Sequence, residues 1–232
     1  MKIQGINTYL GGKESSGVFQ TIINQIRPHQ RFISPFLGNC AVLRYKLPAK
    51  VNVGIDRDQN IIELWQQAGL EKLKVYCGDG IAYLEYLEVS QDEPTVVYCD
   101  PPYPISTRVS QHRYNFEMTD DEHLRLLTAI KKLDCDVLIS TYANDLYSQE
   151  LQGWPVIQFT AGTRGGPAIE SLYMNFENPE GVLHDYRFLG EGFSDRQRVR
   201  RKIKRWSNKL RQLPSKERNA ILASLSGPYR HK

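Results

Sequence analysis

Cysteine is scarce in this chain and never paired. Four occur among 232 residues, at positions 40, 77, 99 and 135, and none forms a Cys-x-x-Cys pair. Three of them lie in or beside apolar, strand-like runs. That placement argues against a disulfide framework or a zinc site and fits reduced thiols in a cytosolic protein. Long apolar runs are missing too. No stretch approaches the roughly 20 residues of a membrane-spanning helix, and no signal peptide opens the chain. Internal repeats and low-complexity segments are absent. Acidic residues are nearly as numerous as basic ones, 26 against 30, which leaves a net charge of only +4. The distribution is uneven, however, because eleven of the basic residues fall between 194 and 218.

What the chain does have is room for one large domain, or one domain with an appendage, and for a full core. Its organising stretch is Val96-Val97-Tyr98-Cys99-Asp100-Pro101-Pro102-Tyr103. The first four residues are short, apolar and β-branched at the start, so they read as a buried strand. Pro101 and Pro102 lack the N–H that would continue a ladder, so the chain must leave the sheet at Asp100. Ligands of open α/β sheets sit at the carboxyl ends of strands, which places Asp100 and Tyr103 on a stiff rim facing a crevice. A carboxylate beside a proline carbonyl is an acceptor-only pocket, suited to an NH2 group with its two donors. The amino group of a nucleobase is a poor nucleophile because its lone pair is delocalised into the ring. Two acceptors pulling on its hydrogens favour a more tetrahedral nitrogen, and an aromatic face can stack the base. Taken alone, the four residues also read as a strand ending in a proline-stiffened turn.

The remaining segments are arranged around that strand. Tyr9-Leu10-Gly11-Gly12-Lys13 lacks the strand and spacing of a P-loop, which leaves a plain turn or a ligand-gripping loop with a cationic tip. Residues 15–27 read as a helix with Val18, Ile22, Ile23 and Ile26 on one face. Residues 31–40 read as a strand entering a turn at Gly38, with a helix from Ala41. The strand 51–56 ends in Asp56, about 20 residues past that turn, the offset at which a carboxylate reaches a ribose hydroxyl pair. Asp56 could equally cap the helix 60–68. The strand 75–80 exits at Asp79, which could cap the helix 81–87 or accept a bond from a cofactor's adenine amino group. This alternation of strand and helix argues a parallel α/β sheet. Residues 105–119 form a polar loop, and Thr119 opens a helix with acids in its first turn. A fifth strand spans 136–142. The segments 156–161 and 171–176 read as a terminal pair of strands, joined by a flexible basic loop at 162–167.

Taken together, these motifs resemble a Dam-type, alpha-group DNA adenine methyltransferase of the Asp-Pro-Pro-Tyr amino methyltransferase family, over residues 9–176. The matching residues are Tyr9 to Lys13, Pro35-Phe36-Leu37-Gly38-Asn39-Cys40, Asp56, Asp100 to Tyr103, Tyr114 with Phe116, Ser140, and Glu170 to Phe176. The resemblance implies a Rossmann-like class I sheet with helices on both faces, S-adenosylmethionine as cofactor, and double-stranded DNA as partner. It implies an enzyme of the restriction-modification kind, cytoplasmic and nucleoid-associated when bound to DNA. Lys13 would grip the methionine carboxylate, with Tyr9 and Gly12 beside it. Pro35, Phe36, Gly38 and Asn39 would cradle the cofactor, Asp56 would bind its ribose, and Asp79 with Gly80 would address its adenine. Asp100 and the Pro101 carbonyl would hold the target amino group, Pro102 would stiffen the turn, and Tyr103 would stack on the flipped base. Neither a metal nor a covalent intermediate is called for, because a sulfonium is already a good leaving group. An enzyme of the same fold acting on RNA, or a non-catalytic nucleic-acid binder, is the alternative.

The chain departs from the family pattern in three places. Ser34 stands where an acid is common, and Cys40 stands where the second glycine lies. Only residues 81–95 occupy the place of the usual recognition insertion. A catalytic domain over 1–190 and a basic helical extension over 191–232 are therefore expected. Val199, Ile203, Trp206, Leu210 and Leu213 recur at alternating four- and three-residue spacing, giving a helix with one apolar seam and a cationic remainder. Phosphate binding by the tail is expected to substitute for the missing insertion. The nucleic-acid contacts expected are Arg108, His112, Arg113, Tyr114, Arg164, Arg200, Arg201 and Lys204.

Overall fold

In the computed structural model, residue 13 and residues 17–107, 115–163 and 166–226 are described. They divide into two compact units, Met1–Tyr186 and Arg187–Lys232. The first unit alternates as the sequence does: α1 (Val18–Ile23), β1 (Arg31–Ser34), α2 (Ala41–Tyr45), β2 (Val51–Asp56), α3 (Gln59–Gln67), β3 (Leu73–Cys77), α4 (Gly80–Glu85) and β4 (Thr95–Cys99). It continues through α5 (Asp120–Lys131), β5 (Asp136–Tyr142), α6 (Asp145–Glu150), β6 (Val156–Thr163) and β7 (Gly166–Met174).

These strands form one sheet in the order β3-β2-β1-β4-β5-β7-β6. All neighbours are parallel except those of β7, which runs antiparallel to both β5 and β6. This is a Rossmann-like α/β sheet, as the sequence predicts. Each residue of β4 is buried, because β1 and β5 flank it edge to edge and both its faces are covered. On one face Ile33, Val53, Val97 and Ile139 pack in a single cluster with Ile81 and Leu84 of α4, Leu126, Leu127 and Ile130 of α5, and Tyr147 of α6. Phe32, Tyr98 and Leu138 alternate to the opposite face and are equally buried. Strand order reverses between β1 and β4, so a crevice opens at their carboxyl ends, next to Asp100.

Several local expectations need correction. The helix expected over 15–27 ends at Ile23, and Gln25 and Ile26 turn more tightly, bonding back three residues to Ile22 and Ile23. Ile26 keeps its buried place without the helix. The third strand stops at Cys77, where Gly78 turns the chain back to bond the Asp56 carbonyl. The loop expected over 162–167 is mostly ladder: Gly162 pairs with Pro167 and Thr163 with Gly166. Helix α6 is too short to leave a periodic signal in the sequence. Asn144 caps it by accepting from the Tyr147 N–H.

The second unit holds α7 (Phe193–Gln212) and α8 (Ser215–Ser226). No residue of α7 is buried, and within its apolar seam Ile203 is 48% and Trp206 53% exposed. Ser215 is the first residue of α8.

Candidate active site

The crevice is built first from a turn that cannot move freely. After β1, the Leu37 N–H donates to the Ile55 carbonyl (2.8 Å) and the Gly38 N–H to Asp56 Oδ2 (2.7 Å). The indole N–H of buried Trp65 donates to the Gly38 carbonyl (2.8 Å). Gly38 has φ of 37°, a conformation that a side chain would strain. Gly80 supports the same turn from below: a Cβ there would sit 1.9 Å from the Pro35 carbonyl oxygen, so only glycine lets α4 approach. Cys40 is buried and caps α2, its Sγ accepting from the Leu43 N–H at 3.4 Å.

Asp56 is bound to this turn and not to the helix that follows. Its second oxygen accepts from the Asp58 N–H (2.9 Å), and Asp58 is the residue that caps α3, through the Asn60 N–H (3.0 Å). Capping by Asp56, the alternative to a ribose contact, is thus overturned. Burial pushes the Asp56 carboxyl up, against the opposing pull of the Asp58 and Gly38 N–H groups. We expect Asp56→Ala to weaken cofactor binding by roughly tenfold or more through lost charge-assisted bonds, measured by calorimetry. Equal affinities would leave Asp56 only its role in holding Gly38.

Asp79 does cap α4, accepting from the Ile81 N–H at 2.9 Å. Its other oxygen pairs with Arg125 (3.0 Å) and Arg57 (3.3 Å). Burial works to raise this carboxyl, but the Ile81 N–H and the two arginines outweigh it and hold it below the usual aspartate range.

The centre of the site joins four distant parts of the chain. Asp100, at the exit of β4, takes the Ser140 hydroxyl of β5 on Oδ1 at 3.2 Å, and Ser140 in turn meets the Tyr98 hydroxyl at 3.1 Å. Lys13 Nζ lies 3.1 Å from the same oxygen and 2.9 Å from Glu170 Oε2 of β7. Lys13 also donates to the Tyr103 hydroxyl and stands 4.9 Å from the centre of that ring. Lys13 and Glu170 are only 6% and 5% exposed, so this is a buried ion cluster and not a surface pair. Burial alone would pull the Lys13 ammonium down; Asp100 and Glu170 overcome it and hold the group well above its ordinary range. Burial pushes Asp100 up, opposed by Lys13. Among the described residues, nothing donates to Asp100 Oδ2.

The structure therefore brings Lys13, Asp100 and Tyr103 together, and sets Pro35, Phe36, Gly38, Asn39 and Asp56 around the neighbouring turn. Two expected roles are occupied by other partners here. Tyr103, expected to face a base, is 6% exposed, with its hydroxyl on Lys13 and its ring edge-on to Tyr142 at 4.4 Å. Lys13, expected to grip a carboxylate of the cofactor, is held by carboxylates of the protein. Glu170 and Ser140 were visible as motif residues but carried no assigned role. Asn175, from the same motif, is structural: its amide accepts from the Val137 N–H and donates to the Cys135 carbonyl, fastening the start of β5. Tyr9, Gly12, Arg108, His112, Arg113, Tyr114 and Arg164 lie outside the described residues. Arg200, Arg201 and Lys204 are exposed on α7 of the second unit.

Residues 56–158 match the family model of the D12 class N6 adenine-specific DNA methyltransferases. The matched segment begins at Asp56 and contains Asp100 to Tyr103 and Ser140. No curated protein sequence matches the chain. Among solved structures, an rRNA methylase from Streptococcus thermophilus is 10% identical with a TM-score of 0.46, covering 68% of this chain and 94% of that one. A dimethyladenosine transferase from Plasmodium falciparum is 17% identical with a TM-score of 0.42, covering 67% and 60%. Magnesium protoporphyrin IX methyltransferase from Synechocystis PCC 6803 is 12% identical with a TM-score of 0.43, covering 68% and 75%.

The segment 56–158 is thus similar to the D12 class of methyltransferases, whose methyl donor is S-adenosylmethionine. The residues present fit that group. Asn39 Oδ1 is buried at the turn with no partner among the described residues. Two carboxylates, Asp100 and Glu170, flank a single ammonium at the adjacent strand ends.

Proposed function

We propose that the protein methylates the exocyclic N6 of adenine in double-stranded DNA, with the target base flipped into the crevice. The observation that carries this reading is Asp100 itself. It is fixed at the carboxyl end of the central strand by Ser140 and Lys13, and its Oδ2 is left without a partner among the described residues. The cofactor supplies an electrophilic methyl group. The protein supplies position: Asp100 Oδ2 and the Pro101 carbonyl accept the two amino hydrogens, holding the nitrogen lone pair toward the methyl carbon. A carboxylate raised by burial is also a better acceptor for the proton that the amino nitrogen sheds. The D12 class of the matched segment supports adenine in DNA over RNA. Only α4 and the connection 86–94 separate β3 from β4, so base contacts are assigned to the 104–118 and 162–167 segments and phosphate contacts to α7.

The test is transfer of labelled methyl to duplex DNA, single-stranded DNA and RNA, followed by identification of the modified base. Methyladenine in DNA is the expected product. Label appearing in RNA alone would move the enzyme to the RNA-acting alternative. The same assay run across pH carries a second expectation. Asp100 must be ionised to accept, and burial raises it, so the acid limb of kcat/KM should fall above the ordinary aspartate value of 3.8. Activity undiminished down to that value would remove Asp100 from the proton-accepting role.

A further inference from the structure

Nothing in the reaction as described above uses Glu170, yet it is one of the most buried charges in the protein. It reaches Lys13 from β7, the antiparallel strand, and is 5% exposed. A lone Lys13–Asp100 pair would be neutral and would present no net charge to the crevice. With Glu170 added, two carboxylates face one ammonium. S-adenosylmethionine carries one net positive charge; its demethylated product, S-adenosylhomocysteine, is a neutral zwitterion with the same adenosine and amino-acid parts.

Resting on the methyltransferase reading, we propose that Glu170 is the residue that makes this pocket anionic, so that the site selects the sulfonium substrate over its neutral thioether product. Glu170 is a positioning residue for Lys13 and sets the charge that the cofactor meets; it touches no reacting atom. A cluster of one net negative charge, counted over Lys13, Asp100 and Glu170, favours the cationic ligand over the neutral one, and low dielectric magnifies the difference. The same charge favours release of the product after each turnover. Loss of the Glu170 charge should therefore act on one ligand and spare the other, which no general loosening of the strand would do.

The experiment is calorimetric titration of the full chain with S-adenosylmethionine and with S-adenosylhomocysteine. In Glu170→Gln, which keeps shape and hydrogen bonding, the affinity for the sulfonium should fall by about tenfold relative to that for the thioether, as expected for loss of one charge from a partly screened site. Glu170→Asp, which keeps the charge, should restore most of the ratio. Lys13→Gln leaves two uncompensated carboxylates and should shift the ratio the other way. Parallel losses for both ligands in Glu170→Gln would make Glu170 a purely structural residue and overturn the proposal. A Lys13→Gln ratio that moves in the same direction as Glu170→Gln would overturn it as well. Wild-type protein that binds neither ligand would overturn the methyltransferase reading with it, so the two failures are distinguishable.

Discussion

Asp100→Ala should abolish methyl transfer by roughly three orders of magnitude while the fold survives. Removing one preorganised polar group from a reacting centre commonly costs about 100- to 1000-fold. Asp100 is expected at the upper end, because its Oδ2, without a donor among the described residues, and the Pro101 carbonyl are the two acceptors proposed to hold the amino group. The protein should stay folded for a specific reason. Lys13 keeps Glu170 at 2.9 Å, so no buried charge is stranded, and Ser140 keeps the Tyr98 hydroxyl at 3.1 Å. Asp100→Asn should fall in between, since the amide retains one acceptor oxygen but loses the charge that pairs with Lys13. Single-turnover rates with saturating cofactor, together with thermal melts, measure both halves. A folded Asp100→Ala protein with near-normal turnover would end the mechanism.

The second large effect is expected far from that pocket, on α7. Arg200, Arg201 and Lys204 lie within an arc of about 100° on a helix of 3.6 residues per turn, on the flank away from the seam of Val199, Ile203, Trp206 and Leu210. All three are exposed, and no residue of the helix is buried. Reversing all three to glutamate should lower affinity for duplex DNA by roughly two to three orders of magnitude at moderate salt. If each contacts one phosphate, the slope of log affinity against log salt should become shallower by about 2.7, at about 0.9 per phosphate. Sequence preference should be unchanged, because phosphate contacts position while base contacts specify. Cofactor binding should also be untouched, since Asp56, Asp100 and the Gly38 turn all belong to the other unit. A folded triple variant with the wild-type salt slope would make α7 a structural helix.

Much of this was legible in the sequence, for physical reasons that can be named. β4 announced itself because four apolar residues, then Asp100 and two prolines, must leave the sheet at the acid. The parallel sheet followed from the alternation of short β-branched runs with amphipathic segments. Asp56, Asp79 and Asp100 were marked by their positions at strand exits. What escaped was whatever depends on residues distant in sequence or on side-chain competition. The pairing of Lys13 with Glu170 spans 157 positions and leaves no periodic trace. Asp58 took the cap of α3 from Asp56 because the Gly38 N–H already held Asp56. Helix α6, with six residues, is too short to show a pattern of its own. The departure at Cys40 also made sense only in three dimensions, where its sulfur caps α2.

The placement of β7 has a consequence for how the enzyme comes into being. It is last of the strands in sequence, yet it lies inside the sheet, between β5 and β6. As the chain is made from its amino end, β1 to β5 can pair among themselves while β7 is still unsynthesised. In that interval β5 is an open edge, able to recruit any passing strand. Lys13 at that stage has Asp100 but not Glu170 as a partner. Arrival of β7 closes the edge and completes the ion cluster in one event, at the cost of a long loop closure. The nascent chain thus becomes competent only when the sheet is finished, and any delay in that last insertion prolongs exposure to misassembly while the active site is still incomplete.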